Sequence, residues 1–461
     1  MKNKIPFFSL VLLIVAAIDS IRTLPTTAFF GTSLIFFYLL AALFFLFPVA
    51  FISAEFSSRY DEEGGIFHWI RHAFGDKIGL LAVWLQWINT MVWYPTMLLF
   101  ISGTTIYIAN ATIVHHKTYL LATSLFIFWG LTLLNLRGIH ASTKISLICG
   151  TIGTLFPMIF LMALGIGWLF SGHSLAIAFS WRDFFPSENW LEASNCLTTI
   201  MASLLGMELA GVHVKDIQNP QKNFPLAIGC SVLILLVTLI LSSLSIAIVI
   251  PKQDIDFVDG VMQTFRTFLS NFGLLFMMPL LALCIVLGAT GGSVNWLLSP
   301  AKGLLQAAEH GFLPSYFLIK NSHEVPYRIL ILQALLVSVF SFAIDFVSNI
   351  NSYYWFLMAL STGLYMLMYI LLFLAALKLK RPAFGYKIPK GLRTISCFAG
   401  CLACIMTIII GLLPPSGVVI KSKVFYSFFV ICGFGLMLFP AFLLWRYREK
   451  NQASQVLKKP L

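Results

Sequence analysis

The sequence predicts an all-α membrane protein with twelve transmembrane helices, folded as an inverted repeat of five plus five helices with two more beyond it. Three observations carry that prediction. Hydrophobic residues make up 59% of the 461, charged residues only 10%, and mean hydropathy is +0.90, values that a water-soluble chain of this length cannot hold without exposing very large apolar patches. Apolar runs long enough to cross a bilayer recur twelve times. The first and sixth runs each carry helix-breaking residues, and because five crossings separate them they run in opposite directions, as in repeats inverted about a shared midplane site.

The runs fall at about Pro6 to Phe30, Leu34 to Phe56, Ile78 to Ala109, Tyr119 to Leu136, Ile145 to Phe170 and Ala193 to Val212. Six more lie near Pro225 to Ile250, Phe268 to Leu298, Ile329 to Phe346, Tyr353 to Leu377, Ile395 to Leu413 and Val424 to Trp445. The first follows Lys2 and Lys4 as a signal peptide would, but no small-residue cleavage site precedes the next polar stretch, so it reads as a spanning helix. A single transmembrane domain results. Residues 6–170 form the first repeat, 193–377 the second, and 378–461 two additional helices with a short tail.

Grouping alternate connecting segments places twenty-three of the thirty lysines and arginines on one side and six on the other, with Arg22 inside the membrane. The positive side is cytoplasmic, which puts both termini in the cytoplasm of a multi-pass inner-membrane protein. The formal charge of +12 is then a matter of orientation on an anionic bilayer, and no nucleic acid partner is called for. Of eight cysteines, Cys397, Cys401 and Cys404 share a helix face but have no histidine or loop of metal-site spacing beside them. They read as packing residues, and the sequence calls for neither metal nor cofactor.

Charge within the spans is scarce enough to be informative. Glu208 lies in Gly206-Met207-Glu208-Leu209-Ala210-Gly211, and a carboxylate at that depth costs about 2.5–3.5 kcal/mol against lipid. It is expected to face protein, water or a ligand. Gly206 and Gly211 allow the helix to unwind on either side and turn backbone groups toward a cavity. In the first span, Pro25 within Thr23-Leu24-Pro25-Thr26-Thr27 removes a donor and is expected to push Leu24 out of the helical region, breaking the helix there. Asp19 and Arg22, three residues apart, either neutralise each other on one helix face or part at that break. Tyr365 and Tyr369, four apart, share a face.

The cytoplasmic loops carry a family resemblance. Asp61-Glu62-Glu63-Gly64-Gly65-Ile66-Phe67 with Ala73-Phe74-Gly75 resembles the loop after the second helix in permeases of the amino acid/polyamine/organocation superfamily. So do Val214 to Pro220 with Phe224-Pro225-Leu226-Ala227, and Ser299-Pro300-Ala301-Lys302-Gly303 with Glu309 to Pro314. Leu24-Pro25-Thr26, Glu62-Glu63-Gly64-Gly65, Met207-Glu208 with Val212-His213-Val214, and Gly260 to Phe265 are closest to bacterial glutamate/γ-aminobutyrate antiporters. The resemblance implies a leucine-transporter-type five-plus-five core with two extra helices, and an exchanger of amino acids. It also implies that Glu208, Trp296, Tyr365 and Tyr369 line the substrate site; the residues at the two breaks, Arg22, Thr23, Pro25, Gly206 and Gly211, are expected to complete it, with Glu208 as proton-coupling candidate. His213 and Asp216 are gating candidates. The chain departs from the family at Gly292, where an acidic residue is expected, at Arg22, where an aromatic is expected, and in lacking a Gly-x-Gly turn in the first helix. The segment after Trp445 is expected to be too short to act as a cytoplasmic plug.

Other functional classes fare worse on the residues alone. An intramembrane hydrolase needs a nucleophile with a base or paired metal ligands inside the spans, a channel a repeated filter loop, and an ATP-driven pump a Gly-x-x-x-x-Gly-Lys loop. None of these stands out. A gradient-driven transporter of amino acids is the expected function, by exchange or, alternatively, by proton-coupled symport of amino acids or polyamines.

Overall fold

A computed structural model describes residues 6–60, 65–109, 116–137, 151–185, 190–208, 219–381, 386–415 and 422–457. Helices account for its architecture because the described backbone, crossing apolar surroundings, must satisfy its own hydrogen bonds. We label them α1 (Phe7–Ile18), α2 (Leu24–Ala28), α3 (Ser33–Arg59), α4 (Ile66–Phe74), α5 (Asp76–Ala109), α6 (Lys117–Asn135), α7 (Phe156–Phe170) and α8 (Cys196–Ser203). There follow α9 (Pro220–Ala247), α10 (Gly260–Asn271), α11 (Met278–Glu309), α12 (Tyr327–Phe342), α13 (Ile350–Lys378), α14 (Lys390–Gly411) and α15 (Lys423–Leu457).

Ten helices among the described residues are long and apolar enough to cross a membrane, and they coincide with ten of the twelve apolar runs. The other two runs are the first and sixth, whose helices are interrupted. The seam of the molecule is α5, packed along α11 and α13, while α1 lies against α9 and α9 against α7. Both α5 and α13 are buried along most of their length, whereas α15 is largely exposed at the rim. That ordering fits the sequence: α5 carries Gln86, Asn89, Thr90 and Thr96 at helical spacing, polar groups that only protein neighbours can satisfy. Asn89 Oδ1 accepts from Ser361 Oγ of α13 at 2.8 Å, and Trp87 Nε1 donates to Gln333 Oε1 of α12 at 3.2 Å.

At one end, the residues before α14 strap the bundle together. The Ile388 amide donates to Glu55 Oε2 at 3.0 Å, Arg393 Nε lies 2.8 Å from Glu55 Oε1, and the Gln221 amide exchanges two hydrogen bonds with the backbone of Lys387. Glu55 is thereby buried with a cation and an amide rather than left alone.

Two backbones pack in direct contact where the π-helical segment Thr151–Leu155 meets α11. A Cβ added at Gly153 would stand 2.2 Å from the Cys284 carbonyl oxygen, and one at Gly288 would stand 2.3 Å from the Gly153 carbonyl carbon. Backbone touches backbone here, so neither glycine has a tolerable replacement. Gly288→Val must separate the two segments, at a cost of at least about 3 kcal/mol, the upper end of the usual overpacking range. The expected result is a clear drop in Tm of the detergent-purified protein; an unchanged Tm would rule out this contact.

Candidate substrate site at the two interrupted helices

The first interruption lies earlier than Pro25. The α1 ladder ends with the Asp19 amide on the Val15 carbonyl at 2.8 Å, and Asp19 and Ser20 are extended, with ψ 126° and 114°. A single turn, Ile21–Thr23, then leads into α2. Pro25 does not break this helix: Leu24 is helical at φ −58° and ψ −44°, and Pro25 sits in the first turn of α2. At that position a helix has no partner for the amide that proline lacks, so proline starts a helix as readily as it ends one. Thr23, Thr26 and Thr27 are fully buried and fold their hydroxyls onto local carbonyls, Thr26 Oγ1 to Thr23 O at 2.8 Å among them. Pro25 lies against Gly260 of α10, where a Cβ would come within 3.0 Å of the ring.

The sixth run is interrupted at Leu204 to Gly206, between α8 and a further helical pair, Met207 and Glu208. Gly206 has φ +100°, a conformation that a side chain would make costly. Its amide donates to Tyr369 Oη at 3.2 Å. Gly211, His213 and Asp216 lie outside the described residues.

Glu208 is buried, and both of its oxygens are engaged. Tyr365 Oη donates to Oε1 at 2.6 Å and Tyr369 Oη donates to Oε2. Gln86 Nε2 of α5 donates in turn to Tyr365 Oη at 3.3 Å. Each tyrosine therefore accepts from one side and donates to the carboxylate, a geometry that fixes the carboxylate without a cation.

Arg22 is also buried, at 2% exposure. It is not paired with Asp19. Its Nη1 donates to Thr96 Oγ1 of α5 at 2.9 Å and to Tyr354 Oη of α13 at 3.0 Å, its guanidinium lies 5.3 Å from the Trp93 ring, and its Nε has no partner. A run of rings joins the two charges: Trp93 to Trp296 at 5.8 Å, Trp296 to Tyr365 at 6.1 Å, and Tyr365 to Tyr369 at 5.1 Å. Of the residues expected at the site, Arg22, Trp296, Tyr365, Tyr369, Gly206 and Glu208 are thus brought into one connected region. Thr23 and Pro25 adjoin it through the chain.

A model of the amino acid permease family matches residues 5–435. The chain belongs to that family. It is thus a multi-pass amino acid permease of the amino acid/polyamine/organocation superfamily. The permease is similar, at 38% identity over 98% of its own length and 97% of the relative's, to an uncharacterized transporter of Legionella pneumophila. It is 27% identical to a glutamate/gamma-aminobutyrate antiporter of Lactococcus lactis over 98% of the permease and 92% of the relative. To a probable agmatine/putrescine antiporter of that species it is 23% identical, over 82% and 80%.

Four residues of the region were not singled out from the sequence: Gln86, Trp93, Thr96 and Tyr354. A signal for them existed. Gln86, Asn89, Trp93 and Thr96 recur at steps of three, four and three in an otherwise apolar run, one face of a helix. Tyr354, Ser361, Tyr365 and Tyr369 likewise share a face of α13.

Proposed function

We propose that the permease exchanges amino acids across the bacterial inner membrane by alternating access, with substrate held between Arg22 and Glu208. In this reading twelve helices cross the membrane, both termini are cytoplasmic, and residues 6–170 and 193–377 are the inverted repeats. The substrate-binding set is Arg22, Thr23, Pro25, Gly206, Glu208, Gly211, Trp296, Tyr365 and Tyr369. His213 and Asp216 close the cytoplasmic end. The antiporter relatives support exchange, and the interruption of the first and sixth runs supports a site where half-helix ends meet substrate charges.

One observation carries the choice of substrate. Arg22 is a buried guanidinium whose polar partners are neutral hydroxyls, and removing such a charge from water without an anion is costly. An acidic or carboxamide side chain fits the free part of its fork, the carboxylate in bidentate geometry. A polyamine would bring a second cation to it, so the agmatine/putrescine relative is a poor guide to this site. In this reading glycine at 292, where the family resemblance implies an acid, removes a competing carboxylate.

Proteoliposomes preloaded with unlabelled amino acid are expected to take up labelled glutamate, and empty ones to take up little. Uptake of no amino acid under either condition would defeat the transport reading. Arg22→Lys, whose ammonium cannot reproduce the fork, is expected to weaken acidic substrates at least tenfold relative to neutral ones. A uniform loss across substrates would make Arg22 structural.

Glu208 couples exchange to protons in this reading. Glu208→Gln keeps an acceptor for one tyrosine and removes the titrating group, so the variant is expected to insert normally and to show a flattened pH profile of exchange. A profile identical to that of the parent would exclude the role. Orientation has its own test: in a cysteine-free background, a cysteine at 418–423 is expected to react with an impermeant thiol reagent added outside. One between Lys378 and Arg393 is expected to stay protected, and the reverse pattern would invert the topology.

A further inference from the structure

We propose that Phe45, carried inward by a π-helical turn of α3, is a positioning residue of the substrate site: its ring holds Tyr369 where one hydroxyl serves both Glu208 and the freed Gly206 amide. The proposal rests on Glu208 lining that site, and it adds a residue from a helix that supplies none of the groups assigned to the site above.

Between Ala42 and Leu46 the ladder of α3 widens, and the Phe47 amide reaches back five residues to the Ala42 carbonyl. Pro48 follows directly and brings no amide to the ladder, an interruption around which a helix is re-spaced. Single wide turns inside α-helices are frequent at functional sites. In this one Leu43 and Phe44 are exposed, at 61% and 39%, whereas Phe45 and Leu46 are fully buried.

Phe45 meets Tyr369 edge-on, with ring centroids 5.0 Å apart and planes at 82°. What Tyr369 does makes that contact consequential. Its hydroxyl has one hydrogen, which it gives to Glu208 Oε2, and it accepts the Gly206 amide at 3.2 Å on a lone pair. Both bonds are made by one oxygen at the far end of the ring, so a small swing of the ring loosens both together.

Tyr365 also packs on Tyr369, at 5.1 Å and 70°, but it belongs to the same helix and moves with it. Among the described residues, Phe45 is the ring that reaches Tyr369 from outside α13. An edge-on pair is directional, with the positive edge of one ring on the negative face of the other, so an aliphatic chain that merely fills the space at position 45 does not replace it. The groups facing Glu208 are the two tyrosines and Gln86, all uncharged. The position of Tyr369 therefore bears directly on the carboxylate, and Phe45 sets that position.

The test is counterflow of labelled glutamate into proteoliposomes holding the full-length protein, with half-saturation concentration and pH profile measured for the parent, Phe45→Leu, Tyr369→Phe and the double variant. Phe45→Leu is expected to raise the half-saturation concentration about two- to tenfold, the equilibrium equivalent of an edge-on ring pair, and to displace the pH profile of exchange. In the Tyr369→Phe background, which keeps the ring and removes the hydroxyl, the same substitution is expected to change neither, because the two positions act through one set of bonds. An unchanged Phe45→Leu, or an effect of equal size in both backgrounds, overturns the role and leaves Phe45 as packing. Should Tyr369→Phe be inactive, the pH profile of Phe45→Leu decides: a displaced profile sustains the role, and one lowered equally at every pH overturns it. Should Phe45→Leu fail to insert, Phe45→Met, whose flexible chain adapts to the space, is read by the same measures. An altered Glu208→Gln beside an unchanged Phe45→Leu defeats this proposal alone, whereas both variants matching the parent defeats the placement of the substrate site as well.

Discussion

A carboxylate in the middle of a bilayer protein has to be held by hydrogen bonds or neutralised, and the hold on Glu208 organises the centre of this permease. Two tyrosines one turn apart on α13 donate to its two oxygens, and one of them also accepts the amide that the turn at Gly206 has freed. The interruption of the sixth run and the burial of α13 are therefore one arrangement. The helix opens where it does because a glycine adopts φ +100°, and it remains open because Tyr369 satisfies the exposed amide. Gln86 extends the same network to α5, tying the most buried pair of helices to the carboxylate.

The opposite charge is handled differently. Arg22 has two hydroxyls and a tryptophan face, partners that orient a guanidinium without neutralising it. Each oxygen of Glu208 accepts from one tyrosine and keeps a lone pair to spare, whereas Arg22 is short of an anion. The aromatic run from Trp93 through Trp296 to Tyr365 joins these two conditions. In the proposed reading, a zwitterion with an acidic side chain brings anionic groups to the arginine and an ammonium to the carboxylate.

Around this centre the packing is graded. Glycines at 153 and 288 let two backbones touch, and the strap at Ile388 and Arg393 buries Glu55 with its counter-ion. Farther out, α15 carries exposed apolar residues such as Val424 and Leu436, as a helix facing lipid should. Rigid contact and polar satisfaction are concentrated between α5, α11 and α13, and the interrupted segments α1–α2 and α8 border them.

Much of this was legible in the sequence because lipid imposes a simple constraint. Spanning helices need long apolar runs, and ten of those runs hold a helix long enough to cross; the other two are the first and the sixth, which hold Arg22 and Glu208. Glu208 was conspicuous for the same reason, since a lone acid in an apolar run must have a partner. Local sequence did not decide where the first helix breaks. Pro25 is compatible with ending a helix or starting one, and the tertiary structure chose the second by packing it on Gly260 and leaving Asp19 and Ser20 extended. Nor could spacing decide whether Arg22 meets Asp19: residues three apart share a face only if the helix between them is intact. The extended pair rotates the two side chains apart, delivering Arg22 to Thr96 and Tyr354 and Asp19 to Thr238. Partners 74 and 332 residues away in the chain follow from how helices pack, and that no one-dimensional pattern specifies.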